Sequence, residues 1–180
     1  MVDKNRSNPP GPELIGRMLE QHAAALRLYA RQLCDTPDDV VQEALVRLAG
    51  QPTCPDDVVA WLYRVVRNGA LTAARSQRRR RKHETEAAAV HANWFEASAD
   101  DALDAETVAS VLAELAAEDR EIVVARIWSG LTFRQIGELI GASDSAAHRR
   151  YEKALAELRV RLQSCMKSQL PESLPRSRPH

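Results

Sequence analysis

The chain has 180 residues, of which 44% are hydrophobic and only 4% aromatic, and its 25 Lys and Arg residues balance 25 Asp and Glu residues. This length leaves room for one ordinary domain or two small ones, and the low content of aromatics and glycine argues against a β-sandwich or barrel, whereas the many Ala, Leu, Arg and Glu residues favour helices. We therefore expect an all-α protein. There is no apolar run of about 18 residues, so no membrane segment is expected. The absence of an apolar signal segment after Met1, and of a CxxC or disulfide pattern among the three cysteines, favours a cytoplasmic location.

The first predicted unit covers residues 12–83 and follows a proline-rich, polar segment, 1–11, that we expect to be disordered. Apolar residues recur at helical spacing from Pro12 to about Leu33. Thr36, which can cap a helix, precedes Pro37 and two aspartates that suit the positive end of a helix dipole, so a second helix is predicted from there to about Ala49.

A third helix is predicted from Asp56 to about Arg79, after a loop broken by two prolines. At 100° per residue its apolar side chains lie opposite an arginine stripe, and residues 64–83 contain eight Lys and Arg residues but no Asp or Glu. Such a stripe is typical of a polyanion partner, with a solvated charged face as the alternative. The stripe is formed by Arg64, Arg67, Asn68, Arg75 and Arg78.

An acidic linker is predicted at 84–106, and residues 84–121 hold 11 Asp and Glu residues against one Arg. This charge supports the hypothesis that the linker covers the arginine stripe in the free protein.

The second predicted unit, 107–162, begins with apolar faces that include Ile127 and Trp128. Thr132 and Gln135 form a capping-box pattern for a short helix that ends at Gly141, and Ser143 or Asp144 caps a longer helix to about Leu162. The spacing is that of a helix-turn-helix, with an ordinary αα-hairpin as the alternative. Residues 163–180 are expected to be a flexible tail.

Four segments, in this order, resemble motifs of the bacterial extracytoplasmic-function (ECF) sigma factors. Residues 38–48 (DDVVQEALVRL) resemble the family's D-x-x-Q-E-x-F helix, and 60–68 (AWLYRVVRN) resemble WL-x-x-IA-x-N. Residues 131–141 (LTFRQIGELIG) resemble L-S-Y-x-E-I-A-x-x-L-G, and 150–154 (RYEKA) match the end of the recognition helix. The chain departs from the pattern at Thr72, at Ala146-Ala147 and at His148, positions that bear on the promoter sequence.

The resemblance implies a sigma factor whose first unit binds core RNA polymerase and the minus-ten promoter element and whose second unit binds the minus-thirty-five element. The polymerase-binding residues would be Asp38, Asp39, Gln42, Glu43 and Arg47. The minus-ten residues would be Gln51, Pro52, Thr53, Trp61, Arg64, Arg67, Asn68, Arg75 and Arg78, although Trp61 lies at the margin of the apolar face, where core packing is favoured over base stacking. The minus-thirty-five residues would be Thr132, Arg134, Ser145, His148, Arg149, Arg150 and Lys153.

The expected partners are core RNA polymerase, promoter DNA and, from the resemblance, an anti-sigma factor. No P-loop, GxGxxG, GxSxG or metal-ligand spacing is present, so the sequence predicts neither an enzyme nor a cofactor or metal site. A freestanding helix-turn-helix regulator and a helical interaction protein that does not bind DNA are the alternatives.

Overall fold

The structure, a computed structural model, describes residues 8–83 and 110–169, and in these ranges the chain forms α-helices joined by turns. The all-α prediction is therefore confirmed. A helical turn at 110–113 precedes the second group of helices. The helices are α1 Pro12–Arg31, α2 Pro37–Ala49, α3 Val58–His83, α4 Ala117–Ile127, α5 Phe133–Ile140 and α6 Asp144–Gln169.

The first unit consists of α1, α2 and α3 around a core of fully buried side chains that includes Leu26, Leu48 and Leu62. Tyr29 and Tyr63 lie edge to face at its centre, with ring centroids 5.2 Å apart. The helix starts differ in their capping. Thr36 forms no side-chain cap at α2, whereas Asp57 Oδ1 accepts the backbone N–H of Ala60 at 3.0 Å and caps α3.

The N-terminal residues 8–11 pack against the loop between α2 and α3, which differs from the disorder expected for them. Pro10 is buried, and the backbone carbonyl oxygen of Asn8 accepts the backbone N–H of Cys54 at 3.0 Å. The proline content that predicted disorder instead gives an extended strap, because prolines favour extended backbone and bury well against a neighbouring loop.

The second unit consists of α4, α5 and α6. Thr132 and Gln135 form the predicted capping box at α5, and Gly141 ends α5 in the left-handed conformation with φ 73°. Ser143 is the cap of α6, since its Oγ accepts the N–H of Ala146 at 3.2 Å. The predicted end of α6 at Leu162 is wrong: the helix continues to Gln169, because residues 163–169 contain no Gly or Pro that would stop it.

The two units share one hydrophobic core. Buried residues of the first unit, among them Tyr29 and Val66, belong to the same cluster as Ile122 and Val123 of α4. Helix α3 packs on α5, and α1 packs on α4. The second unit therefore lies directly against the helix that carries the arginine stripe.

Candidate nucleic-acid interface and docking surfaces

The arginine stripe of α3 is exposed at Arg64, Arg75 and Arg78 and partly buried at Arg67. Asn68 is also exposed, and its backbone carbonyl oxygen accepts a hydrogen bond from the Thr72 hydroxyl at 2.8 Å. The periodicity of the sequence therefore predicted the exposed face correctly, apart from the burial at Arg67.

Arg67 is partly buried because it bonds to a carboxylate of the second unit. Its Nε donates to Glu121 Oε1 at 2.7 Å, and the Tyr29 hydroxyl donates to the same oxygen. Burial lowers the pKa of Arg67, but the hydrogen bond and charge of Glu121 outweigh it, so that the pKa is raised overall. Burial, followed by the charge of Glu121, raises the pKa of Tyr29 well above its usual value. The Arg67 guanidinium and the Tyr29 hydroxyl therefore both stay protonated and both donate to Glu121 Oε1.

Two further contacts join α5 to the same side of the first unit. Arg64 Nη2 lies 3.7 Å from Glu138 Oε2, and Gln135 Nε2 donates to Asp57 Oδ2 at 2.6 Å. Gln135 also accepts the N–H of Thr132 at 2.7 Å, so one side chain connects the caps of α3 and α5.

The loop before α3 carries the other predicted minus-ten residues. Pro52 and Thr53 are exposed, whereas Gln51 is half-buried and donates its Nε2 to the Arg47 carbonyl at 3.2 Å. Trp61 packs against the core, in agreement with the interpretation that its wheel position favoured.

The five predicted polymerase-binding residues of α2 lie along two grooves. Asp38 and Gln42 line an apolar groove between α1 and α2, where Asp38 pairs with Arg27 at 2.8 Å. Asp39, Glu43 and Arg47 line the groove between α2 and α3 that also contains Asn68. The predicted polymerase and minus-ten residues are thus neighbours across this second groove.

The groove between α1 and α2 contains two exposed aliphatic side chains that were not among the predicted site residues. Leu19 is 47% exposed and Val46 is 60% exposed, and both line the groove beside Asp38 and Gln42. The signal available in the sequence was that Val46 falls on the polar side of α2, where an apolar residue is not needed for the core.

The helix-turn-helix presents most of its predicted residues to solvent. Ser145, His148, Arg149 and Lys153 are exposed on α6, and Arg134 is exposed on α5. The His148 ring lies edge-on to Phe133 with centroids 4.7 Å apart, and its Nε2 is 3.7 Å from Glu152. Thr132, also exposed, is engaged in the capping box.

Arg150 differs from its neighbours because it is bonded within the second unit. Its guanidinium pairs with Glu118 and with Asp119, the latter at 3.3 Å. The Glu118 hydrogen bond is the main cause of a raised Arg150 pKa. Arg150 thus connects α6 to the start of α4 through these two ion pairs.

A further groove, which is apolar like the one between α1 and α2, lies between α4 and α6. The predicted apolar face ends here in two exposed side chains, since Ile127 is 51% exposed and Trp128 is 36% exposed. Both line this groove with Leu155 and Leu162. At this end the predicted apolar face is an exposed concave surface and not part of the core.

Within residues 8–83 and 110–169, no group of three or more His, Cys, Asp or Glu side chains could hold a metal ion. Among the described helices, none combines the length and the apolar character that crossing a membrane requires. The 84–106 linker and its charge hypothesis lie outside the described residues.

Comparison with known proteins identifies both units. Residues 18–80 match the family model of sigma-70 region 2, and residues 111–160 match that of sigma-70 region 4. The curated relatives include the ECF RNA polymerase sigma factor SigL of Mycobacterium tuberculosis, 30% identical over 158 residues that cover 83% of this chain and 89% of SigL.

Two solved structures resemble the whole arrangement. CnrH, solved with the cytosolic domain of CnrY, is 25% identical with a TM-score of 0.58, covering 86% of this chain and 90% of CnrH. RpoE of Bartonella quintana, solved with the anti-sigma factor NepR, shares the fold at 22% identity and a TM-score of 0.61, covering 82% of this chain and 96% of RpoE.

The fold and its two matched regions define a sigma-70-type transcription initiation factor. The chain belongs to the ECF RNA polymerase sigma factor family. A freestanding helix-turn-helix regulator is not favoured, because region 2 accompanies region 4 in the same chain.

Proposed function

We propose that α3 with the preceding loop binds and opens the minus-ten element, that α6 reads the minus-thirty-five element, and that α2 docks core RNA polymerase. The observation that supports this proposal is that one chain exposes basic side chains on two separate helices: the exposed arginines of α3 and the exposed Arg149 and Lys153 of α6. Phosphate contacts from both would fix the register of one duplex, and side chains at the start of α6 would meet base edges.

Binding, rather than covalent chemistry, performs this function, and we infer that the protein acts in the cytoplasm and is not an enzyme. Opening the duplex costs a few kcal/mol per unstacked step and is offset when an extruded base is captured. Asn68, exposed beside Thr72, can donate to and accept from such a base.

The α1–α2 groove is proposed as a polymerase-docking surface because it combines exposed aliphatic side chains with acidic and amide neighbours. Val46 and Leu19 supply apolar contact, and Asp38 and Gln42 supply polar contact at the rim. An anti-sigma factor is a proposed regulator: CnrH was solved with the cytosolic domain of CnrY, and the α4–α6 groove around Trp128 would suit an apolar helix of such a partner.

The experiment that tests this function is transcription by core polymerase on a promoter library, with and without the protein. The proposal requires new start sites that share sequence at both upstream elements. Binding to DNA alone, with no new starts, would contradict it.

A further inference from the structure

The extended strap before α1, residues 8–11, contacts the loop that is proposed to meet the minus-ten element. The backbone carbonyl oxygen of Asn8 accepts the backbone N–H of Cys54 at 3.0 Å. Cys54 directly follows Pro52 and Thr53, the two exposed residues that form the tip of this loop. The strap therefore holds the loop at the position next to its exposed tip.

The loop has few means of fixing its own shape. Pro52 and Pro55 lack an N–H group, so Thr53 and Cys54 carry the only two backbone donors of residues 52–55. Within residues 8–83 and 110–169, the bond from Cys54 to the strap is the one backbone–backbone hydrogen bond that residues 52–55 form. A surface segment with so few backbone hydrogen bonds opens easily unless a neighbour holds it. The strap is the neighbour that supplies this contact.

The backbone of the strap is itself restricted by its sequence. Residues 8–11 read NPPG and are followed by Pro12, so that three of these four residues directly precede a proline. A residue before proline favours extended backbone, and the proline ring fixes its own φ angle. Gly11 shows this conformation, with φ −75° and ψ 162°. Little conformational freedom is therefore lost when the strap lies along the loop.

The strap is anchored at its middle and at its end. Pro10 is buried, whereas Pro9 beside it is exposed. At the end of the strap, the carbonyl oxygen of Gly11 accepts the backbone N–H of Leu14 at 3.0 Å, in the first turn of α1. The carbonyl of Asn8 is thus presented to the loop by a short, stiff segment that is fixed to α1.

We propose that the strap is a positioning element for the minus-ten loop. Pro10 anchors the strap, and the Asn8 carbonyl holds Cys54, so that the exposed tip stays in the conformation that accepts the minus-ten element. The proposal rests on the proposed assignment of this loop to minus-ten binding. It adds residues that lie outside 18–80, the range that matches the region 2 family model. The strap acts through the loop and makes no DNA contact of its own.

The test assembles full-length variants with core polymerase on two templates in one competition reaction. One template is a promoter recovered from the library, and the other is the same promoter with its minus-ten element scrambled. The ratio of the two transcripts reports selection of the minus-ten element. A general loss of active protein lowers both transcripts and leaves this ratio unchanged.

Three variants separate positioning from other roles. Pro10→Ser removes the buried ring that anchors the strap. Pro9→Ser is the matched control, because it removes the same backbone restriction at an exposed position. Asn8→Ala removes the side chain but keeps the carbonyl that bonds to Cys54, so it controls for direct contact between the strap and DNA.

If the loop of Pro10→Ser holds the binding conformation in about one molecule in ten, the transcript ratio should fall about tenfold, whereas both controls should stay within about twofold of the wild type. An unchanged ratio for Pro10→Ser would overturn the proposal, even if its total output and melting temperature were lower. A loss with Asn8→Ala as large as with Pro10→Ser would also overturn it, since the side chain would then contact DNA directly.

The wild type separates failure of the strap's role from failure of the proposed function. A wild type that does not discriminate between the two templates would remove the proposed minus-ten function and the strap's role with it. A wild type that discriminates, together with an equal ratio for Pro10→Ser, would remove only the strap's role.

Discussion

Arg67 on α3 donates to Glu121 on α4 across 2.7 Å, and this pair joins region 2 to region 4. The two residues are 54 positions apart and belong to units whose sequences match separate family models. One arginine of the predicted DNA stripe thus forms a contact between the two units. We therefore expect Arg67 to contribute to the stability of the fold as well as to the proposed DNA binding.

Replacing Tyr29 by Phe should lower the free energy of unfolding by about 1–3 kcal/mol, because the buried Glu121 loses a hydrogen-bond donor while the ring remains packed. Urea denaturation followed by circular dichroism measures this. The matched control is Tyr63→Phe: the ring is equally buried, but its hydroxyl forms no hydrogen bond of normal geometry, even with Ser129 nearby. Tyr63→Phe should be close to neutral, and equal losses in both variants would contradict the assigned role of Tyr29.

Stability should fall at high pH through Tyr63, whose pKa is raised to about 12 by burial. Below pH 10 the hydroxyl is protonated in both states and contributes no difference. Between pH 10 and 12 only the unfolded chain loses the proton, so the free energy of unfolding decreases, by about 1.4 kcal/mol at pH 11 for this group. Unfolding in urea at pH 9 and pH 11 should show a smaller decrease for Tyr63→Phe than for the wild type, and an identical decrease would be inconsistent with the buried phenol.

Gly137→Ala should destabilise the helix-turn-helix by about 1–3 kcal/mol, because an added Cβ would lie 2.7 Å from the carbonyl oxygen of Ala142, a backbone atom that cannot move without distorting the turn. The control is Gly16→Ala in α1, where a Cβ meets nothing within 4 Å. That change should stabilise the protein by about 0.5–1 kcal/mol, since alanine is the better helix former. A melting temperature for Gly137→Ala equal to or above that of the wild type would show that the close approach to Ala142 does not constrain this position.

Val46→Glu should weaken association with core RNA polymerase at least tenfold without loss of stability, because Val46 is 60% exposed in the α1–α2 groove and needs no repacking. Val160→Glu, at 64% exposure on α6, is the control for adding a charge at an equally exposed valine. Size-exclusion binding to the polymerase measures both. Similar retention of the two variants would remove the α1–α2 groove from the docking surface.

Arg149→Ala and Lys153→Ala should each reduce promoter output from the upstream element and lower the salt slope of DNA binding by about one, since both side chains are exposed on α6. Arg150→Ala should instead act mainly on stability, because it breaks the pairs with Glu118 and Asp119. Promoter titrations at several salt concentrations, with thermal melts of each variant, separate these effects. Unchanged output from Arg149→Ala and Lys153→Ala would remove the recognition-helix assignment.

The helices were predictable because each carries a local signal. The capping box at Thr132 and the left-handed Gly141 follow from residues within one turn of each other, and the arginine stripe follows from the 3.6-residue period. The end of α6 was missed because no stop residue occurs before Pro171, so the helix continued to Gln169.

The contacts between the units could not be predicted from the same signals. Periodicity shows which face of a helix is polar but not which partner it meets, and Tyr29 lies 92 positions from Glu121. Glu121 belongs to a strongly acidic stretch, and the sequence gives no signal that distinguishes this buried carboxylate from the others in the stretch. Periodicity placed Ile127 and Trp128 on an apolar face but could not show that this face lines an exposed groove, since an exposed groove and a buried seam have the same apolar spacing.

Start-site mapping after in vitro transcription with core polymerase and a randomised promoter library tests whether both units select promoters. It compares the wild type with the double variant Arg64→Ala, Arg75→Ala and with the double variant Arg149→Ala, Lys153→Ala. We expect starts that depend on the wild-type protein and share two sequence elements, with the first double variant impaired at the downstream element and the second at the upstream element. Absence of any start that depends on the protein, or of any stable complex with the polymerase, would be incompatible with promoter selection by this chain.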